Sequence, residues 1–175
     1  ENMLLNNKKE IKIKNSKRKI IEINGKNNLK NFKINVPGDP SSAAFFVALT
    51  LLCNNSSIKI KNVGLNATRI GFYNLLIKHG AKIKFKNIYL ENNEPRGDIL
   101  VESSRLKPII ASKNYYVNST DEYPILFVIA SFLKGVSIFK GIEDLANKES
   151  NRIVEMQKVL KQVGIKTLAN KNELK

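Results

Sequence analysis

The sequence contains no tryptophan, one histidine and one cysteine among its 175 residues. A lone thiol, Cys53, excludes an internal disulfide, agrees with a reducing compartment and reads as a packing residue. With only His79 and Cys53 to draw on, a His/Cys metal cluster or a Ser-His-Asp nucleophile system has little to be built from, so no metal is expected. His79 directly precedes Gly80 at the end of an amphipathic pattern, where an imidazole suits a helix C-terminus better than the role of ligand or base. Long apolar runs are missing too. The longest, 43–53 and 125–133, stop at about ten residues, short of the roughly 18 that a membrane span needs. No membrane partner is expected, and the protein reads as soluble. Acids are scarce beside bases, 15 Asp and Glu against 30 Lys and Arg, for a formal charge of +15. Such a balance attracts polyanions through counterion release. The cations, however, are nearly all lysines spread along the chain without Arg–aromatic clusters, which reads as a solvated face and gives no nucleic-acid partner. The first residue is Glu1 and the first methionine is Met3, which leaves a targeting segment upstream open.

What is present is the composition of a globular domain, 42% apolar, organised by an internal repeat. Residues 45–85 recur in altered form over 126–168, at a spacing of about eighty. Each copy opens with an apolar helix (42–52, then 124–133) and continues with an alternating strand (57–61, then 136–140). A loop follows, then an amphipathic helix ending at Gly80 or Gly164, then another strand. The first helix of each copy is apolar on every side and is expected to be buried all round, whereas the second carries a polar face and belongs nearer the surface. Residues 11–14, 19–23 and 32–36 read as short strands, with turn chemistry at Asn24-Gly25. They look like the end of a preceding unit. The cluster Pro37-Gly38-Asp39-Pro40 marks a hinge or domain boundary, giving 1–36 to one domain and 37–175 to about two repeat units of a second. Ser41 or Asp39 is placed to cap the helix that follows. Residues 92–97 read as a polar loop before a strand over 98–102.

Two places attract attention for their chemistry. Asn147-Lys148-Glu149-Ser150-Asn151-Arg152 reads as the opening of a helix that runs to about Val163. At 100° per residue, Lys148, Glu149 and Arg152 share the stripe of Ile153, Met156, Val159, Leu160 and Val163. Buried charge is costly unless paired, so either this turn emerges into a polar cleft or the trio forms an internal ion cluster. A plain Glu149–Arg152 pair at i, i+3 on a fraying helix start accounts for the pattern equally well. The second place is Asp121, in Ser119-Thr-Asp-Glu-Tyr-Pro124, which is either an ordinary cap or first-turn acid or the counterpart of Asp39 in the other repeat. Central helices that start together would converge their positive ends on one place, and such a place binds anions.

Four segments in order carry a resemblance. Val36-Pro-Gly-Asp-Pro-Ser-Ser-Ala-Ala-Phe-Phe46, Asn62-Val-Gly-Leu-Asn-Ala-Thr-Arg-Ile-Gly71, Asp121-Glu-Tyr-Pro124 and Lys148-Glu-Ser-Asn-Arg152 resemble those of the EPSP synthase (3-phosphoshikimate 1-carboxyvinyltransferase) family. Glu1-Asn-Met-Leu4 is similar to that family's segment before its domain crossover. The resemblance covers essentially the whole chain. It implies an α/β fold of the α+β repeat type, the enolpyruvyl transferase fold, with repeated units of buried central helices and outer mixed sheets. The family has two domains of three such units, so this chain would be a fragment of a two-domain protein, inactive alone because much of the inter-domain cleft lies outside it.

The implied activity is transfer of enolpyruvyl from phosphoenolpyruvate to the 5-hydroxyl of shikimate 3-phosphate, without cofactor, by a bacterial cytoplasmic enzyme that is a monomer at full length. By the matching motifs, Asp121 would be the base holding the shikimate hydroxyl. Lys148 would be the substrate-phosphate contact and proton-transfer residue, Glu149 the acid near the methylene, and Arg152 the phosphoenolpyruvate clamp. Asn151 departs from the family's usual Asp, and Asp144 stands where some members have Asn, which leaves its contact with substrate open. Two other readings stay in view: the sister transferase acting on UDP-N-acetylglucosamine, and a non-catalytic basic binding module. The Lys148-Glu149 pair and Gly38-Asp39-Pro40-Ser41-Ser42 favour the shikimate enzyme.

Overall fold

The structure, a computed structural model, describes residues 11–15, 19–23, 25, 31 and 33–175. Helix α1 (Pro40–Leu52) starts where its punctuation places it. Asp39 is extended and accepts from the Ser42 amide (2.8 Å) and hydroxyl (2.9 Å), while Pro40 supplies a helix-ready φ and no orphan donor. Strand β3 (Ser57–Gly64), helix α2 (Gly71–Lys78), and strands β4 (Lys82–Glu91) and β5 (Glu94–Glu102) complete the first unit. Strand β5 lies between β3 and β4, antiparallel to both. Before this unit, β1 (Ile11–Asn15) and β2 (Lys19–Ile23) pair antiparallel, with the backbone of Ile11 in register with that of Ile23, and Gly25 lies in a turn.

The second unit runs through β6 (Ile110–Ala111), α3 (Lys113–Tyr116), a 3-10 turn (Thr120–Glu122) and α4 (Tyr123–Ser131). It continues with β7 (Ile138–Lys140), a second 3-10 turn (Glu143–Asn147), α5 (Arg152–Gln162) and β8 (Glu173–Leu174). Strand β7 is central, parallel to β6 and antiparallel to β8, so this sheet is mixed while the first is antiparallel. The repeat is thus real in its helix–strand–helix order. The core joins both copies: Ala44, Val47, Leu75, Leu76, Ile99, Leu126 and Ile129 are fully enclosed. Tyr123 meets Tyr116, Phe127 and Phe139 edge to face at 5.3–6.0 Å between ring centres.

Several expectations are corrected. Helix α1 is not buried all round, because it packs on β3, β5 and α4 and its third side, with Phe45, Phe46 and Leu49, is exposed among the described residues. The loop expected over 92–97 shrinks to Asn92-Asn93, both at positive φ (52° and 63°), because two adjacent Asn residues accept the left-handed pair that a two-residue hairpin requires. No strand forms at 33–36. The Asn35 carbonyl instead accepts from Arg96 Nη2 at 2.7 Å and its side chain donates to Glu91, so this segment is held by side chains and not by a ladder. The strand expected after Gly164 is reduced to a bridge at Ala169, with Leu168 and Lys175 exchanging backbone bonds at 2.8 Å. Residues 1–4, Asn24 and Phe32 lie outside the described residues.

Three polar anchors fix what the apolar core alone leaves free. Asp98, on the central strand, accepts from Asn87 (2.8 Å), Lys59 (3.0 Å) and the Asn62 amide (3.1 Å). Asn62 and Asn87 both have positive φ at the register breaks of β3 and β4, so one carboxylate holds two facing irregularities. The Asn87 bond, then Lys59 and the Asn62 amide, pull the Asp98 carboxyl down to about 2. His79 closes α2 as expected, but it also reaches the other unit: Nδ1 donates to the Leu75 carbonyl (2.8 Å) and Nε2 accepts from the Ile110 amide (3.0 Å). Gly71 starts α2 with its amide on the Asn118 carbonyl at 3.0 Å, and a Cβ there would fall 2.7 Å from that oxygen.

Two predictions follow from these anchors. Gly71→Ala should destabilise the protein by about 1–3 kcal/mol, as overpacking against fixed backbone does, whereas exposed Asn74→Ala should shift urea stability by less than about 0.5 kcal/mol. Because the Asp98 carboxyl is depressed, the stability it contributes is fully present above its ordinary value of 3.8 and is lost as pH falls through about 2. Thermal melts between pH 4.5 and 2 should show that loss in the parent and a shallower one in Asp98→Asn.

Candidate functional site

The site is built where α1 and α4 begin. Ahead of α4, the Ser119 hydroxyl donates to the Tyr115 carbonyl (2.5 Å), Thr120 Oγ1 to the Tyr116 carbonyl (2.9 Å), and the Glu122 amide to the Ser119 carbonyl (3.1 Å). These bonds wind residues 120–122 into a 3-10 turn and leave Asp121 on its exposed side. Asp121 is therefore not the cap of α4. That position belongs to Glu122, one residue later, while Asp39 does cap α1.

The opposite wall comes from the approach to α5. Asn151 has a non-helical backbone and its side chain accepts from the Val154 amide at 3.2 Å, so the helix starts at Arg152. Lys148 is extended, with ψ −175°, and it and Glu149 precede the helix. The stripe drawn on a helix starting at Asn147 consequently does not exist for these two residues. Their side chains are 33% and 85% exposed, and that of Arg152 is 26% exposed, so the buried ion cluster does not describe them; Lys148 lines a polar pocket while Glu149 stands largely in solvent.

The charges meet across this gap. Arg152 Nη1 lies 3.5 Å and Lys148 Nζ 4.0 Å from Asp121 Oδ1, and Arg152 Nη2 donates to Glu149 Oε2 at 3.2 Å. The i, i+3 pair anticipated from spacing is thus present, inside a larger network. The Glu149 carboxyl is held below its ordinary value by its own backbone amide and by Arg152. Asp144 is exposed on the preceding 3-10 turn and makes no hydrogen bond or ion pair with the other four. A pocket of about 190 Å³ opens beside the network, lined by residues 117–122, Thr68, Arg69 and Lys148. Two cations facing two carboxylates can exchange an internal partner for an anionic ligand and leave a carboxylate free as a base. No group of three His, Cys, Asp or Glu side chains suited to a metal ion occurs among the described residues.

Sequence reasoning assigned no role to Arg69 or Glu122, and considered Ser41 only as a cap. Arg69 Nη2 donates to Ser41 Oγ (2.9 Å) and Asp39 Oδ1 (3.2 Å), and Ser41 Oγ donates to Glu122 Oε1. Glu122 is 4% exposed. Burial raises its carboxyl above the ordinary value, opposed in part by the Ser41 hydroxyl. Arg69 was visible only as the one guanidinium in the Asn66-Ala-Thr-Arg69 turn. That turn is shaped by Asn66 Oδ1, which accepts from the Thr68 amide (3.0 Å) and hydroxyl (2.8 Å).

Comparison with known proteins gives one answer. The family described as EPSP synthase (3-phosphoshikimate 1-carboxyvinyltransferase) matches residues 1–175. The 3-phosphoshikimate 1-carboxyvinyltransferase of Zymomonas mobilis is 42% identical over 147 residues, covering 84% of this chain and 32% of the relative. That of Aquifex aeolicus is 41% identical over 147 residues, covering 83% and 34%. A solved structure of EPSP synthase from Acinetobacter baumannii superposes with a TM-score of 0.87 at 30% identity, over 99% of this chain and 39% of that one. The chain spans about a third of the length of the curated relatives it matches. No helix among the described residues is long and apolar enough to cross a membrane.

Glu122 generates a prediction about stability. A carboxyl whose folded value is raised above 4.5 makes the native state bind its proton more tightly. Stability should therefore fall as pH rises from that ordinary value through the raised one. Glu122→Gln keeps an acceptor for Ser41 and removes the buried charge, so its melting temperature at pH 7.5 should exceed the parent's, and the difference should vanish near pH 4.

Proposed function

The chain belongs to the EPSP synthase family, and from that premise we propose that it forms part of a 3-phosphoshikimate 1-carboxyvinyltransferase, supplying one wall of a cleft that binds phosphoenolpyruvate and shikimate 3-phosphate. The observation that carries this reading is the Asp121 carboxylate set 3.5 Å from Arg152 and 4.0 Å from Lys148 at the mouth of a polar pocket. Residues 1–36 close the first domain and 37–175 hold about two units of the second. The enzyme works in the bacterial cytoplasm, and its site is completed by parts of the protein outside this chain.

The chemistry is addition followed by elimination. The 5-hydroxyl oxygen of shikimate 3-phosphate bonds to the central carbon of phosphoenolpyruvate as its proton leaves to Asp121, and the methylene carbon gains a proton to become a methyl group. In the second step that methyl returns a proton, the carbon–oxygen bond to phosphate breaks, and inorganic phosphate departs with the enol ether restored. Lys148 sits against the substrate phosphate and takes part in proton transfer, and Arg152 clamps phosphoenolpyruvate through its planar fork. The Glu149 carboxyl is held down first by its own backbone amide and then by Arg152, and when Arg152 turns to the substrate it loses the second of these. Its proton affinity then rises at the moment an acid is needed beside the methylene carbon. The carboxylates of Asp121 and Glu149 thus hold the places at Lys148 and Arg152 that substrate anions take.

Phosphate release from phosphoenolpyruvate and shikimate 3-phosphate, assayed in the full-length protein, tests this. Asp121→Asn, Lys148→Met and Arg152→Ala should each lower kcat/KM by about 10²–10⁴-fold. A folded, full-length parent that releases no phosphate would overturn the reading.

A further inference from the structure

We infer that Glu122 is a positioning residue: its buried carboxylate ties the start of α1 to the 3-10 turn that carries Asp121, and so sets where Asp121 stands relative to Lys148 and Arg152. The inference rests on the catalytic reading of Asp121 proposed above and adds a residue to it that does not itself touch substrate.

Glu122 is an expensive residue for its place. It is 4% exposed at the first position outside α4, between an aromatic cluster and the polar pocket. Glutamine or a small apolar residue would avoid desolvating a charge there, at no cost to the cap. What faces it is limited. The Ser41 hydroxyl donates to Oε1, and Arg69 lies behind that hydroxyl at 2.9 Å. Asp121 is its like-charged neighbour, and the Tyr73 hydroxyl is committed to the Pro40 carbonyl at 2.5 Å. Ser41 is the second residue of α1, and Arg69 returns to Asp39, the cap of that helix. A single connected chain, Asp39–Arg69–Ser41–Glu122, therefore spans the two repeat units and ends one residue from Asp121.

The geometry explains why that tie matters to Asp121 in particular. The 3-10 turn is fixed on its inner side by the bonds of Ser119 and Thr120 to α3. On the outer side, the two long contacts of Asp121 with Arg152 and Lys148, 3.5 and 4.0 Å, are too loose to place it. Among the described residues the Ser41 hydroxyl supplies the side-chain bond that ties this turn to α1, a helix held in place by its packing on β3, β5 and α4. Functional groups held by loose salt contacts need this kind of support behind them.

The test is a double-mutant cycle in the full-length enzyme. Glu122→Leu should lower kcat by about 30-fold or more with each KM changed less than about threefold, and Glu122→Gln, which still accepts from Ser41, should restore kcat to within about fivefold of the parent. In an Asp121→Asn background, Glu122→Leu should cost nothing further, because the residue acts through Asp121. Full additivity, or a folded Glu122→Leu enzyme with parental kcat, would overturn the inference. Should Glu122→Leu not fold, Ser41→Ala removes only the hydroxyl, and a kcat loss of about tenfold is expected; an unchanged kcat would count against the tie. A parent inert on these substrates would refute the catalytic reading itself. Crystal structures of the parent and Ser41→Ala would then decide the positioning claim: Asp121 displaced from Arg152 by about 1 Å or more supports it, and an unmoved Asp121 rejects it.

Discussion

Two helices from different copies of a repeat start at the same place, and the rest of the site depends on that convergence. The start of a helix presents unsatisfied amide donors and a partial positive charge, so bringing α1 and α4 together creates a local excess that something negative must answer. Asp39 answers at α1 by capping, and the buried Glu122, whose side chain caps no amide of α4, turns its carboxylate to Ser41 at the start of α1. Ser41 and Arg69 then link the two acids into one chain of bonds. Asp121 is the acid left over. It is not consumed by capping, which frees it to face the cations that arrive from the other side.

Those cations are delivered by an irregular segment, and the irregularity is what makes them available. Had α5 begun at Asn147, Lys148 and Glu149 would have been placed on the stripe occupied by Ile153 and Leu160, and would have had to be buried or to break the packing. Asn151 stops the helix short, and the extended backbone at Lys148 turns its ammonium toward Asp121. The resulting network is balanced but loosely joined, with separations of 3.2–4.0 Å and substantial exposure. Exposed pairs of this kind add little to stability, so an incoming phosphate or carboxylate would displace them at small cost. A tighter, drier cluster would have been a better structural element and a poorer binding site.

Much of this was legible from sequence, for stated reasons. Asp-Pro-Ser-Ser fixes a helix start without tertiary help, and α1 begins there. The repeat and its helix–strand–helix order come from periodicity, which depends on local pattern. The acidic and basic residues of the network came from the motifs of a family, because spacing alone left an ordinary i, i+3 pair as an equal account. Three things were not legible. The start of α5 was misjudged because Asn147 and Asn151 are both acceptable caps, and only the placement of the preceding 3-10 turn selects the second. Residues 92–97 looked like a loop because their polarity hides that Asn92 and Asn93 alone make the turn. Finally, the Ser41–Glu122 contact joins residues 81 apart, and Arg69 and Asp39 are 30 apart, so neither pairing leaves a local trace. The exposure of Phe45, Phe46 and Leu49 belongs to the same class, since an apolar helix does not reveal which of its sides has a neighbour.

The central claim is that the Asp121–Lys148–Arg152 network is a substrate site held ready by internal ion pairs. A crystal structure of the full-length protein with shikimate 3-phosphate bound tests it most directly. The account predicts the Asp121 carboxylate within about 3 Å of a ring hydroxyl, as a base must be, with Lys148 turned from Asp121 to the substrate phosphate. A ligand bound elsewhere, with Lys148 and Arg152 still resting on Asp121, would contradict it.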